Sequence, residues 1–129
     1  MVRFIESERR RGRMLDLVIG DRDTGAYLGE VLLMSREWEA GELAYVVAPA
    51  ARGRGLATDA LKLVCNWAFR ELGLLRLQLR ADPENLASHR VAVKAGFERE
   101  GLLRSSHVVR GRRADVVIYS RLPGDPGPP

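Results

Sequence analysis

Cysteine and histidine are scarce in this chain: one Cys, Cys65, and two His, His89 and His107. A single thiol excludes an internal disulfide and suits a reducing compartment, so a cytoplasmic location is expected. With so few soft ligands, no zinc site of the usual kind is expected, and no metal is assigned. Aromatic residues make up 6% of the chain. No stacking platform for bases is visible, which disfavours nucleic acid as a partner. No apolar run approaches the length of a membrane span, and the opening Met1-Val2-Arg3-Phe4-Ile5-Glu6 lacks the apolar core of a signal peptide. Lysine is also rare, so the net charge of +4 is carried almost entirely by arginine. That bias reflects either codon usage or attraction to an anionic cofactor or acidic partner.

What is present describes a globular domain. The 129 residues are 46% hydrophobic and 29% charged, enough for one core and too few for two domains. Phe4–Arg13 is charged, with a thin apolar face, and reads as a short helix or a frayed arm. Leu15, Leu17 and Ile19 alternate as a strand. A turn cluster at Asp21-Arg22-Asp23-Thr24-Gly25 precedes a second strand from Ala26 to about Ser35, and Glu42–Ala48 forms a third. The period then changes. Ala57, Ala60, Leu61, Val64, Trp67, Ala68 and Leu72 recur at helical spacing, with Gly73 at the C-terminal cap position. A strand through Leu75, Leu77, Leu79 and Ala81 follows. Asp82-Pro83-Glu84-Asn85 then leads into a second helix whose apolar positions include Leu86, Val91 and Ala92. Two strands, about Phe97–Arg104 and Ala114–Leu122, meet near Arg110-Gly111. The expected fold is α+β: a mixed, mostly antiparallel sheet of order β-β-β-α-β-α-β-β with one right-handed crossover. Residues 1–122 form one domain, and 123–129 are too rich in Pro and Gly to pack, so a disordered tail is expected.

The segment Glu42–Thr58 carries the chemistry. A strand breaks at Pro49, passes through Arg52-Gly53-Arg54-Gly55 and enters the first long helix. Backbone N–H groups at such a turn cradle phosphate oxygens, and guanidinium forks pair with them. A nucleotide-hydrolysing loop would require Gly-Lys-Ser/Thr, but Gly55 is followed by Leu56-Ala57. The dinucleotide fingerprint matches at Gly53 and Gly55 but has Thr58 at its third position, and the chain has only one crossover. A plain tight turn remains the bland alternative.

Two motifs carry a family resemblance. Arg52-x-x-Gly55-x-Ala57 and Asn85-x-x-Ser88-x-x-Val91-x-x-Lys94-x-Gly96-Phe97 resemble the two signature blocks of the GNAT superfamily of N-acetyltransferases. With Ala48-Pro49 and Asp82-Pro83-Glu84-Asn85, the pattern is most similar to the branch of ribosomal-protein alanine N-acetyltransferases (RimJ/RimL-like). It covers about residues 14 to 122.

The resemblance implies an acetyl-CoA-dependent N-acetyltransferase that moves the acetyl group to a primary amine, on a protein N-terminus or a small molecule, by direct attack in a ternary complex. It implies that Val46, Val47 and Ala48 offer backbone groups to the pantetheine arm. Arg52, Gly53, Arg54, Gly55, Leu56, Ala57 and Thr58 would receive the pyrophosphate, and Asn85 would bond the pantetheine, unless it is simply a helix cap. Ser88 would protonate the departing thiolate, the alternative being a surface hydroxyl. Glu42 would accept the amine proton directly or through water, the alternative being an exposed strand-end carboxylate. Tyr45 and Tyr119 are candidates for the cleft wall, His89 and His107 read as surface residues, and Cys65 as a small buried hydrophobe. The family's usual first strand and helices are expected to be missing or reduced to Phe4–Arg13. This leaves two further readings: a homodimer that completes that side of the sheet, or a truncated, catalytically inactive acyl-CoA-binding or interaction module.

Overall fold

The computed structural model describes residues 2–8 and 14–128. Seven strands form one sheet: β1 (Val2–Glu8), β2 (Met14–Asp21), β3 (Tyr27–Arg36), β4 (Ala40–Val47), β5 (Arg76–Ala81), β6 (Glu98–Val109) and β7 (Arg112–Arg121), in the spatial order β1-β2-β3-β4-β5-β7-β6. All neighbours are antiparallel except β4 and β5. Helix α1 (Leu56–Glu71) makes the crossover between that parallel pair, and α2 (Leu86–Lys94) connects β5 to β6. The mixed, mostly antiparallel α+β fold agrees with the reading of the sequence.

One element differs. The charged segment expected to be helical is instead β1, paired residue for residue with β2 from Val2↔Asp21 to Glu8↔Leu15. Its helical propensity is a matter of tenths of a kilocalorie per residue. Pairing satisfies a row of backbone groups on β2 that would otherwise face water. Residues 9–13 of the expected helix lie outside the described residues. At the other end, the chain turns after β7, with Leu122 N–H donating to Asp125 Oδ2 at 2.9 Å. Pro128 lies 3.3 Å from the position a Cβ on Gly96 would take.

The core lies on one face of the sheet. Leu17, Ile19, Val31, Leu33, Leu43, Leu77 and Leu79 are buried there with Ala60, Leu61, Val64, Cys65 and Ala68 of α1 and Ala92 of α2. The alternation of the strands therefore sends Leu32, Ala44, Val46, Gln78 and Arg80 to the opposite face, over which no helix packs among the described residues. Leu86, expected to face the core, is 65% exposed in the first turn of α2. Only Ala92 is buried along that helix.

Candidate functional site: a split between parallel strands

β4 and β5 pair from Ala40↔Arg76 to Leu43↔Leu79 and then separate, although β4 continues to Val47 and β5 to Ala81. The β5-facing edge of Ala44–Val47 therefore has no ladder partner, and the strands open into a V. Gly29 supports β4 from the other side. A Cβ there would lie 2.3 Å from Val46 O, so only glycine lets β3 approach this closely.

Beyond Val47 the chain makes a single 3-10 turn at Pro49–Ala51 and enters the glycine loop. Gly53 and Gly55 have φ of +79° and +72°, where a side chain would strain the backbone. Gly55 is the N-cap of α1, and no side chain accepts a hydrogen bond from the helix's first turn. Those N–H groups and the positive end of the helix dipole point into the cleft mouth. At α2 the arrangement is reversed: Asn85 Oδ1 accepts from Ser88 N–H at 3.2 Å. The cap and cofactor readings of Asn85 are compatible, because capping uses its oxygen and leaves its amide N–H groups.

A cleft of about 710 Å³ joins these parts, lined among others by Tyr45, Val46, Val47, Arg52, Gly53, Gly55, Leu56, Ala57, Thr58, Asn85 and Ser88. Three expected residues stand apart from it. Ala48 donates its N–H to Leu28 O and accepts from Ala51 N–H, both at 2.8 Å, so its main-chain groups are occupied. Arg54 turns back on its own loop, Nη2 to Ala50 O at 3.3 Å. Glu42 is not brought to the cleft wall with Ser88; it lies just before the apex of the V. At 7% exposure it is buried, and it accepts from Arg36 Nη2 (2.9 Å), Gln78 Nε2 (3.0 Å) and Arg80 Nε (2.9 Å).

Ala87, Arg90, Val91 and Lys94 also line the cleft, and Arg90 and Lys94 were missed in the sequence. Their signal was available, since positions 87, 90, 91 and 94 form one helical stripe. The two cations add to Arg52 beside an opening already rich in N–H donors. His89 is more constrained than a surface residue. Nε2 faces the carbonyls of Asp82 (3.0 Å) and Pro83 (3.2 Å), which places its proton there. Nδ1 therefore accepts from the Tyr119 hydroxyl at 2.6 Å. Tyr119 is thus a core residue that pins α2 and not a cleft wall. Burial pushes the Cys65 thiol up to about 11, so it is inert at neutral pH.

The family model described as an acetyltransferase (GNAT) domain matches residues 1–98. The chain belongs to the GNAT acetyltransferase family. This GNAT domain is 41% identical over 83 residues to the probable N-acetyltransferase YjcK of Bacillus subtilis, covering 64% of the chain and 46% of that relative. It is 30% identical over 92 residues to the spermidine N(1)-acetyltransferase of Escherichia coli K12, covering 71% of the chain and 50% of the relative. RimJ of Mycobacterium smegmatis, solved with CoA-disulfide, superposes with a TM-score of 0.80 at 30% identity, covering 88% of this chain and 55% of that one. The chain spans about half the length of the curated relatives it matches.

The donor of this family is acetyl-CoA, and the cleft meets its requirements. An uncapped helix terminus and glycine loop suit a pyrophosphate, cations stand beside it, and an unpaired strand edge suits an amide-bearing arm. No group of side chains able to hold a metal occurs among the described residues.

Proposed function

We propose that the protein is an acetyl-CoA-dependent N-acetyltransferase acting on a primary amine by direct attack in a ternary complex. The observation that carries this reading is the V between β4 and β5, which opens onto an α1 terminus without a side-chain cap. In this reading the main chain of Val47 pairs with the pantetheine amides, whereas Val46, also expected to do so, turns its main-chain groups toward β3, where its oxygen blocks a Cβ on Gly29. The N–H groups of the loop from Arg52 to Thr58 receive the pyrophosphate, and the Asn85 amide donates to the arm.

The amine lone pair attacks the thioester carbonyl carbon, and the tetrahedral oxyanion collapses with cleavage of the C–S bond. The electron pair goes to sulfur, and Ser88 Oγ–H passes the thiolate a proton while Oγ takes one up from water, so that the serine ends neutral. The proton lost by the amine passes to water. Glu42 has one acceptor position left after its three bonds, so it takes part through a relaying water and not by direct contact.

Spermidine, named for one relative, and a ribosomal substrate, named for another, are the starting candidates. The reading extends to one domain over residues 1–122 followed by a tail, to a cytoplasmic setting, and to a second copy pairing along the β1 side. Among the described residues no helix is long and apolar enough to cross a membrane.

Free-thiol release from acetyl-CoA, followed with a panel of amines and peptides beside a cofactor-induced thermal shift, tests the reading. Buried Cys65 will add little background. Amine-dependent release is expected. A thermal shift without it identifies a binding module instead, and no CoA binding at all removes the central claim. Ser88→Ala should lower kcat by roughly 10² with acetyl-CoA affinity unchanged, the range of a single lost proton donor.

A further inference from the structure

Resting on the reading above, we infer that the acceptor carries a carboxylate near its reacting amine and that Arg80 receives it. Arg80 is the first residue of β5 past the last pair with β4, Leu43↔Leu79. It stands beside the apex of the V on the helix-free face, opposite the stretch of β4 that begins at Ala44. Its Nε donates to Glu42 Oε1 at 2.9 Å. Its side chain is 48% exposed, and its two Nη groups have no hydrogen-bond partner among the described residues. A guanidinium held by Nε presents its Nη edge outward as a fork, the shape that matches a carboxylate.

The fork is held rigidly. Glu42 is bound on both oxygens, by Gln78 and Arg80 on Oε1 and by Arg36 on Oε2. The orientation of Gln78 is settled by its other end, where Oε1 accepts from Arg76 Nη2 at 2.8 Å. Arg76 in turn pairs with Glu100 at 2.6 Å. The chain of contacts crosses β3, β4, β5 and β6, so Arg80 loses little conformational freedom when a ligand arrives.

Charge points the same way. Arg76 and Glu100 cancel, and Arg36 and Arg80 outnumber Glu42, leaving one net positive charge at the apex. A polyamine would bring its second cation toward that charge, whereas an amino acid or an acidic peptide N-terminus brings a carboxylate. The competing anions are Glu30, which pairs with Val46, and buried Asp16, in register with Leu32, both on the side of β4 away from the split.

The experiment first measures acetyl-CoA affinity by calorimetry, then kcat/KM for glutamate, spermidine and three tripeptides with N-terminal Ala followed by Asp, Gln or Lys. The Ala-Asp peptide or glutamate should exceed the Gln peptide and spermidine by about 10-fold or more, the weight of one charged hydrogen-bonded pair. Raised salt should shrink the gap. Arg80→Gln should erase the preference while leaving acetyl-CoA affinity and melting temperature near the parent's, and Arg80→Lys should restore part of it. A leading response to glutamate points to a small molecule, and one to the peptide points to a protein terminus. A preference for spermidine or the Lys peptide, equal rates across the panel, an equal fall for every acceptor in Arg80→Gln, or no turnover despite bound acetyl-CoA would each overturn the inference alone. Absence of acetyl-CoA binding would instead remove the donor reading, and this inference with it.

Discussion

Helices α1 and α2 face each other across the cleft and are built in opposite ways. α1 has 16 residues, seven of them buried, and begins at a glycine with no side-chain cap. α2 has nine residues with one buried and begins at an asparagine that caps it. α1 is held by apolar burial, and its terminus is left without a side-chain cap. α2 is held by polar pins: the two ring nitrogens of His89, and Arg121 Nη1 donating to Ala95 O at 3.2 Å. The difference teaches that the uncapped terminus sits on the helix anchored by burial. The wall carrying Ser88, Arg90 and Lys94 is fastened by a few directional bonds, each of which a single substitution can remove.

Gly55→Glu should break the comparison most severely, by placing a side chain at φ +72° and a negative charge over the open terminus of α1. Acetyl-CoA affinity should fall on the order of 100-fold with the protein still folded, as the anion-binding end of the helix is both strained and neutralised. Calorimetry checks the affinity, and unchanged binding would remove the loop assignment. Next in size, Gly29→Ala must displace Val46 O or β3 itself. A loss of about 1–3 kcal/mol in denaturant unfolding is expected from such overpacking, together with weaker acetyl-CoA binding because Val46 lines the cleft.

Asn85→Ala should make the two helix starts alike by uncapping α2, at a cost of about 1 kcal/mol. Tyr119→Phe removes one pin of α2 and should raise amide exchange across Leu86–Lys94 while leaving α1 protected. Equal changes in both helices would contradict the contrast. The smallest effect concerns Cys65, deep on the apolar side of α1. Its folded value of about 11 lies above the ordinary 9.0. The unfolded chain therefore loses this proton first, and stability should decline as pH rises from the ordinary value to the folded one. Cys65→Ala should flatten that part of a pH–melting curve.

Most elements were legible from local pattern because their period is written in consecutive residues. The expected helix over 56–72 is Leu56–Glu71, and the expected alternation around 75–81 is Arg76–Ala81. The glycine loop and Asn85–Ser88 were legible as motifs because each depends on a short stretch of chain, and the structure lines one cleft with both. β1 was not, since its conformation depends on a partner strand and its own composition favours nothing strongly. The Glu42 network was hidden for the same reason. Its members at 36, 42, 76, 78, 80 and 100 have no common spacing and meet only across four strands. His89 read as a surface residue because its three partners come from the turn before α2 and from β7.

By itself the sequence determined the order of strands and helices from β2 onward, the glycine loop and the family, because hydrophobic period and short motifs are local properties. Only the tertiary structure decided that β4 and β5 part after Leu43 and Leu79, that Glu42 is bound rather than free, and that Arg80 presents its fork at the apex. Those outcomes depend on which strands become neighbours. Hydrogen bonds and ion pairs between residues far apart in the chain exist only once the sheet has closed around them.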